Sequence, residues 1–312
     1  MPFSFISKRM NEVTSLLQKN NRIESAKYVS NFAAIFACPI CKSSMKVIDF
    51  KSLICSNNHT FDFAKQGYLN FATHTGNTKY SKGLFEARRK LITEGAFYKP
   101  LSHAIAKIIN ERFFKSNEII FLLDTGCGEG SPLSKICDII RTDFSESIVG
   151  IGIDISKEGI MAASKNYPNK IWTVADLANT PFKNKQFDVI LNILSPSNYT
   201  EFKRLLKRDG IVIKIVPQSG YLKELREHLF LKQEKQNYSN LETVERFKES
   251  FQFVESSRLN YVINLNKTSI EWLVQMTPLT WSTTEERLKS FLYKDTAQIT
   301  VDFDILIGKN KI

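Results

Sequence analysis

The sequence predicts an α/β chain in two parts: a small module stapled by Cys and His, then a doubly wound, Rossmann-like sheet of about seven strands. Three observations carry this. Near-continuous Ile/Val/Leu runs recur at helix-length intervals after residue 118, as a parallel sheet covered on both faces requires. Acidic or polar residues close several of these runs, at what would be the carboxyl edge of the sheet, where open α/β folds bind ligands. Two tight Cys/His pairs also fall in a stretch too short to bury a core without a staple.

Taken in order, residues 1–36 are an N-terminal extension whose Val13, Leu16 and Leu17 share one helical face. Residues 37–71 form the Cys/His module, with strand-like pieces at Lys46 to Phe50 and Phe61 to Phe63. Residues 72–97 are a linker and helix: Ala72 to Gly83 is polar and Gly-bearing, and a helical pattern covers Leu84 to Thr93. A second helical pattern, Leu101 to Phe114, falls within the main domain, residues 98–312. Apolar runs follow at Ile119 to Leu123, ending at Asp124, and at Ile148 to Ile153, ending at Asp154. Ile171 to Val174 precedes Asp176, Phe187 to Leu194 ends at Ser195, and Ile211 to Val216 is entered through an Asp209-Gly210 turn. Leu259 to Leu265 and Gln298 to Ile307 bracket a helix around Ile270 to Met276 and complete seven strands.

The 312 residues carry 43 Lys and Arg against 32 Asp and Glu, a net charge of +11. That excess is uneven: residues 1–95 hold 14 basic against 6 acidic side chains, and residues 96–312 hold 29 against 26. A basic block of this kind suits a polyanion, because phosphate neutralisation supplies most non-specific nucleic-acid affinity. The longest apolar runs are far shorter than a membrane helix, and MPFSFISKRM has no signal-peptide pattern, so a cytoplasmic location without membrane contact is expected. In that compartment the five cysteines are thiols or metal ligands.

Cys38 and Cys41 form C-x2-C, and thirteen residues later Cys55 and His59 form C-x3-H. Two such pairs across a short loop can converge on one tetrahedral Zn2+. A redox C-x-x-C is the alternative, but that motif belongs at the mouth of a βαβ unit, which this stretch does not contain. Four protein ligands leave no position for water, so the zinc is structural. Cys127 and Cys137 are read as small buried hydrophobes.

Asp124-Thr125-Gly126-Cys127-Gly128-Glu129-Gly130 follows the first strand, and Ser131-Pro132 fits an N-cap with a first-turn proline. Asp154, at the end of the next strand, can accept from both hydroxyls of a ribose, and Asp176 after the third can reach an adenine amino group. Glu129 would repel a pyrophosphate but suits an α-amino group. An adenosine joined to an amino acid is S-adenosylmethionine.

These residues resemble the seven-stranded methyltransferases, and within them the RlmA-type 23S rRNA (guanine-N1-)-methyltransferases, from about Ala37 to the C-terminus. Four segments carry the resemblance: Cys38 to Phe71, Phe85 to Tyr98, the D-T-G-C-G-E-G loop, and Pro217 to Leu225. It implies cofactor contacts from Tyr98, from Gly128 with Glu129, and from Tyr221, where enterobacterial members carry His. Ile193 to Tyr199 is similar to the Gram-positive, tylosin-resistance-like branch, which implies a guanine in a domain II hairpin of 23S rRNA, in free rRNA or a large-subunit precursor. The resemblance leaves room for a homodimer.

Guanine N1 lies on the Watson–Crick edge, so the base must be unpaired or extruded into a pocket. Asn192 at the fourth strand exit is the candidate positioner, with a capping or turn role as its alternative, and no residue declares itself as the general base. Arg88 and Arg89, beside Lys90, are either a solvated face or a phosphate clamp. Tyr68, Phe71 and Tyr80, interleaved with Lys65, Lys79 and Lys82, could stack on splayed bases, although core packing suits Phe71 better. Two rivals stand beside this reading: a small-molecule methyltransferase with a zinc-stapled lid, and a non-enzymatic zinc RNA-binding protein. The first predicts transfer without RNA, the second RNA binding without cofactor affinity.

Overall fold

The computed structural model describes residues 21–72, 80–113, 118–145, 147–230 and 239–310. The face formed by Val13, Leu16 and Leu17 lies outside these, as does Lys79. Residues 21–30 are helical (α1) and bury Ala26 and Val29.

An antiparallel meander follows, β1 (Met45–Ile48), β2 (Ser52–Cys55) and β3 (Thr60–Asp62), in the order β1-β2-β3. Its short strands bury Met45, Leu53 and Cys55 on one side. The short β4 (Leu69–Asn70) then leaves the module and pairs parallel with β7 (Ile171–Val174) at the edge of the main sheet.

That main sheet runs β10-β11-β9-β8-β5-β6-β7-β4. Its central strands are β5 (Ile120–Thr125), β6 (Ile148–Asp154), β8 (Phe187–Ile193) and β9 (Leu206–Pro217), all parallel and buried almost without interruption. Antiparallel β10 (Gln252–Asn266) and β11 (Thr296–Lys309) close the far side. The seven expected strands are all present, and β4 makes an eighth: an isolated Leu-Asn pair carries no periodic signal, and only the β7 edge makes it a strand. The expected Asp209-Gly210 turn is absent because β9 already starts at Leu206, its Gly210 packed against Leu206.

Helices cover both faces. α2 (Lys82–Thr93) is capped by the Ser81 hydroxyl, which accepts from Leu84 N, and buries Leu84, Phe85, Ala87, Leu91 and Ile92. α3 (Lys99–Phe113), α4 (Ser131–Asp143) and α5 (Lys157–Asn166) pack on the first half of the sheet. α6 (Tyr199–Leu205), α7 (Lys223–Leu229) and α8 (Leu241–Ser250) follow the later strands. α9 (Lys267–Met276) lies against α2 and leads through a 3-10 turn, Pro278–Ser282, to α10 (Glu285–Leu292). Among the described residues no helix is long and apolar enough to cross a membrane.

One buried cluster joins Cys38, Met45, Leu53 and Phe63 of the small module to Leu123, Ile151, Phe182 and Phe187 of the large one. Phe36 stacks on Phe71 at 5.9 Å between ring centroids and tilts against Phe182 at 5.3 Å. Cys127 and Cys137 are fully buried, and burial pushes the Cys137 thiol up to about 12, so both are inert packing groups.

Candidate active site and metal centre

The ligand atoms of Cys38, Cys41, Cys55 and His59 all lie within 4.8 Å of one another. The Cys41 and Cys55 sulfurs are 3.7 Å apart, and His59 Nδ1 is 3.5 Å from the Cys38 sulfur and 3.4 Å from that of Cys55. Zn–S bonds of about 2.3 Å and Zn–N bonds of about 2.1 Å at tetrahedral angles give edges of about 3.5 to 3.8 Å, so the donor set fits zinc. The Ser43 hydroxyl and amide hold the Cys41 thiol down to about 5, which favours the thiolate that a metal needs.

At the carboxyl edge of the main sheet lies a cavity of about 780 Å3, within the usual range for a small-molecule site. The Gly-rich loop between β5 and α4 forms one wall. Gly128 is left-handed (φ +57°), and a Cβ there would come within 3.2 Å of the Arg88 guanidinium. Gly130 (φ +82°) caps α4 where a Cβ would stand 2.4 Å from the Trp172 ring. Gly130 therefore takes the N-cap expected of Ser131, with Pro132 in the first turn.

Asp154 lines the cavity with both oxygens fixed: Ser156 N and Gly128 N each donate to it at 2.8 Å. Asp176 also lines it, accepting from Ala178 N at 2.8 Å, and the apolar Ile155, Ala175 and Leu177 are part of the same wall. Tyr98 and Tyr221 meet hydroxyl to hydroxyl at 3.2 Å on another wall, and burial raises both above the ordinary tyrosine value.

Behind the Gly-rich loop are two buried carboxyls. Glu129 has no exposed surface: its Oε2 accepts from Ser131 N at 3.1 Å and Ser131 Oγ at 2.5 Å, while its Oε1 makes no hydrogen bond. Burial raises its carboxyl, and raises that of Asp124 to about 7; Arg88 opposes both shifts. Asp124 Oδ1 likewise makes no hydrogen bond. Neither carboxyl is itself in the cavity wall; each stands behind the Gly-rich loop with one oxygen that makes no hydrogen bond, an acceptor that suits the cationic amino-acid end of S-adenosylmethionine.

Arg88 corrects the reading of α2. It faces inward, lines the cavity and brings Nε within 3.6 Å of Glu129 Oε1, so it is not on a surface phosphate clamp. The signal was in the sequence: Arg88 sits at i+4 from Leu84 and i−3 from Leu91, on the buried stripe. Arg89 is held by Glu86, donating at 3.2 and 3.0 Å. Lys65 and Lys82 are exposed. Tyr68 and Phe71 are buried and available to no RNA base, whereas Tyr80 is 42% exposed at the cavity rim.

Asn192 is a second correction. It is fully buried, absent from the cavity wall, and spends its amide on the turn after β8. Nδ2 donates to Ser195 Oγ, Pro196 O and Thr125, and Oδ1 accepts from Lys214 Nζ at 2.6 Å and Ser197 Oγ at 3.0 Å. It holds the Ser195–Ser197 turn and cannot touch a substrate. The segment that does reach the cavity, Met276–Leu279 with Ser282, escaped the sequence reading because nothing local ties a Thr-Pro helix stop to a distant site.

Residues 36–72 match the family described as "RlmA, N-terminal", a zinc ribbon, and residues 123–214 match the one described as "Methyltransferase domain". The chain is 47% identical over 277 residues to a Bacillus subtilis protein provisionally named 23S rRNA (guanine-N(1)-)-methyltransferase YxjB, covering 88% of this chain and 97% of that one. It is 27% identical over 252 residues to the Streptomyces fradiae 23S rRNA (guanine(748)-N(1))-methyltransferase, covering 80% of this chain and 87% of that one. A zinc ribbon joined to a methyltransferase sheet, with close identity along nearly the whole length, places the chain in the RlmA-type 23S rRNA (guanine-N1-)-methyltransferases, S-adenosylmethionine-dependent enzymes.

Proposed function

We propose that this chain methylates N1 of a guanine in a domain II hairpin of 23S rRNA. The observation that carries the reading is one cavity whose wall holds both the carboxylates Asp154 and Asp176 and the largely apolar Leu194–Pro196, Pro217 and Met276–Leu279; we assign the acids to the cofactor and the apolar segments to the acceptor base. In this reading Asp154 accepts from the ribose hydroxyls, Asp176 from the adenine amino group, and Glu129 with Asp124 from the α-amino group. Gly126 and Gly128 admit the ligand to the backbone, and Tyr98 and Tyr221 close over it. S-adenosylmethionine supplies an electrophilic methyl group on a sulfonium.

Asp154 and Asp176 are the carboxylates of the cavity wall among the described residues, and this reading gives both to the cofactor. The chain's contribution is therefore orientation: it holds the extruded guanine edge-on and excludes water from the apolar wall. The methyl carbon passes from the sulfonium sulfur to N1, which leaves S-adenosylhomocysteine, and the N1 proton is lost to bulk solvent through the cavity mouth. The basic zinc ribbon, which includes the exposed Lys65, binds the RNA backbone.

Incubation with labelled cofactor and unmodified 23S rRNA, followed by primer extension, tests the reading, because N1 methylation blocks reverse transcription. A cofactor-dependent stop in a domain II loop is expected. Label in small molecules and none in RNA would overturn it.

A further inference from the structure

We propose that Tyr80 and Trp281 form a stacking platform for the RNA base that flanks the methylated guanine, at the entrance of the cavity. The proposal rests on the RNA-methyltransferase reading above.

The two rings meet across the rim, their centroids 5.7 Å apart at an interplanar angle of 53°. Trp281 is 48% exposed and Tyr80 42% exposed, whereas Trp172 is buried at 3%. Two adjoining half-exposed rings make a contiguous apolar patch rather than a scattered side chain, and such patches mark contact sites. Both are braced from behind. Tyr80 leans on the buried Phe85 at 6.1 Å, just before the Ser81 cap of α2. Trp281 rides on the Pro278–Ser282 turn, which is tied down where Thr277 Oγ1 accepts from Leu279 N and Thr280 Oγ1 donates to Val274 O and Thr277 O.

Position decides the occupant. Tyr80, Leu279 and Ser282 line the cavity, and Trp281, outside its wall, lies against Tyr80 with 48% of its surface exposed. A small acceptor enclosed in the cavity would not reach it. A polymer would: once one base enters, its neighbour is splayed at the mouth, where a sequence-tolerant aromatic face can take it. Lys82, exposed two residues from Tyr80, supplies a cation for the adjoining phosphate.

The test uses the full chain, S-adenosylmethionine and a domain II hairpin transcript. Trp281→Ala should weaken hairpin affinity by about 10-fold or more, as loss of one stacked base does, with cofactor affinity by calorimetry unchanged. Trp281→Phe should retain most of it, and Tyr80→Ala should repeat the loss. An abasic nucleotide beside the methylated guanine should weaken the wild type but add nothing to Trp281→Ala. Unchanged hairpin affinity in Trp281→Ala, or equal abasic losses in both proteins, overturns the platform alone. No methyl transfer to any RNA by the wild type overturns the underlying reading, and the platform with it.

Discussion

Replacing Glu129 with Gln separates the role of its charge from that of its shape. The side chain has no exposed surface, and Ser131 N and Oγ already occupy Oε2, at 3.1 and 2.5 Å. Oε1 makes no hydrogen bond and stands 3.6 Å from Arg88 Nε. If Oε1 receives the cofactor's ammonium group, the amide removes one charge-assisted hydrogen bond, worth about 1.5 to 3 kcal/mol, or about 10- to 150-fold in Kd for S-adenosylmethionine. Stability should move little. Burial already disfavours the Glu129 charge, so Gln relieves that penalty, while Arg88 loses its facing carboxylate; the two effects oppose one another. An apo melting temperature within about 4 °C of the wild type is expected. Calorimetric titration beside a thermal melt reads both quantities. An intact fold that binds the cofactor within 2-fold of wild type would refute the placement. Glu129→Arg, which sets a second cation beside Arg88, should abolish binding.

Asp124 gives a pH signature. Its carboxyl is raised by burial to about 7 from an ordinary 3.8, so its contribution to stability is complete below about pH 4 and is lost as pH rises through 7. Between pH 5 and 7.5 that loss is about 2 to 3 kcal/mol in the apo protein, and Asp124→Asn should flatten the slope in denaturant titrations; parallel slopes would contradict it. Asn192→Leu strips acceptor and donor partners from Lys214, Thr125 and Ser197, and should lower stability by about 3 kcal/mol or more. A stable variant that lost only turnover would restore Asn192 to a substrate-positioning role. Zinc chelation, or Cys41→Ser, should lower the main unfolding transition of the whole chain; a separate small transition with the main one unmoved would show two independent units.

How much could be read from the residues alone depended on the range of each interaction. The zinc ligands were legible because their spacing is local, and the strands because buried parallel strands are apolar throughout. The acids at 124, 154 and 176 were legible as strand exits, since the fold class brings strand ends to one edge. Side-chain direction was harder. Asn192 looked like a cavity residue, but Lys214, 22 positions on, and Thr125, 67 positions back, claim its amide. Arg88 carries a charge that suggests a solvent-facing side chain, but its place on the apolar stripe of α2 turns it inward. Trp281 had no local signal at all: it meets Tyr80 only because α9 packs on α2.

The same distinction explains why the zinc ribbon is not an appendage. A module of this size cannot bury its own apolar face, so it buries that face against the sheet: Phe36 bridges Phe71 and Phe182, and the backbone joins in where Phe71 N donates to Val174 O at 2.8 Å. Val174 ends β7, two residues before Asp176, and Lys42 Nζ of the knuckle reaches Asn179 Oδ1 just beyond that acid, at 2.5 Å. The ribbon therefore braces, through β4 and the Asn179 turn, the strand exit that presents Asp176 to the cavity. If Asp176 takes the adenine amino group as proposed, metal bound at the ribbon steadies that end of the site as well. Under the function proposed above, an RNA bound at the ribbon would be registered against the cavity through this shared buried core.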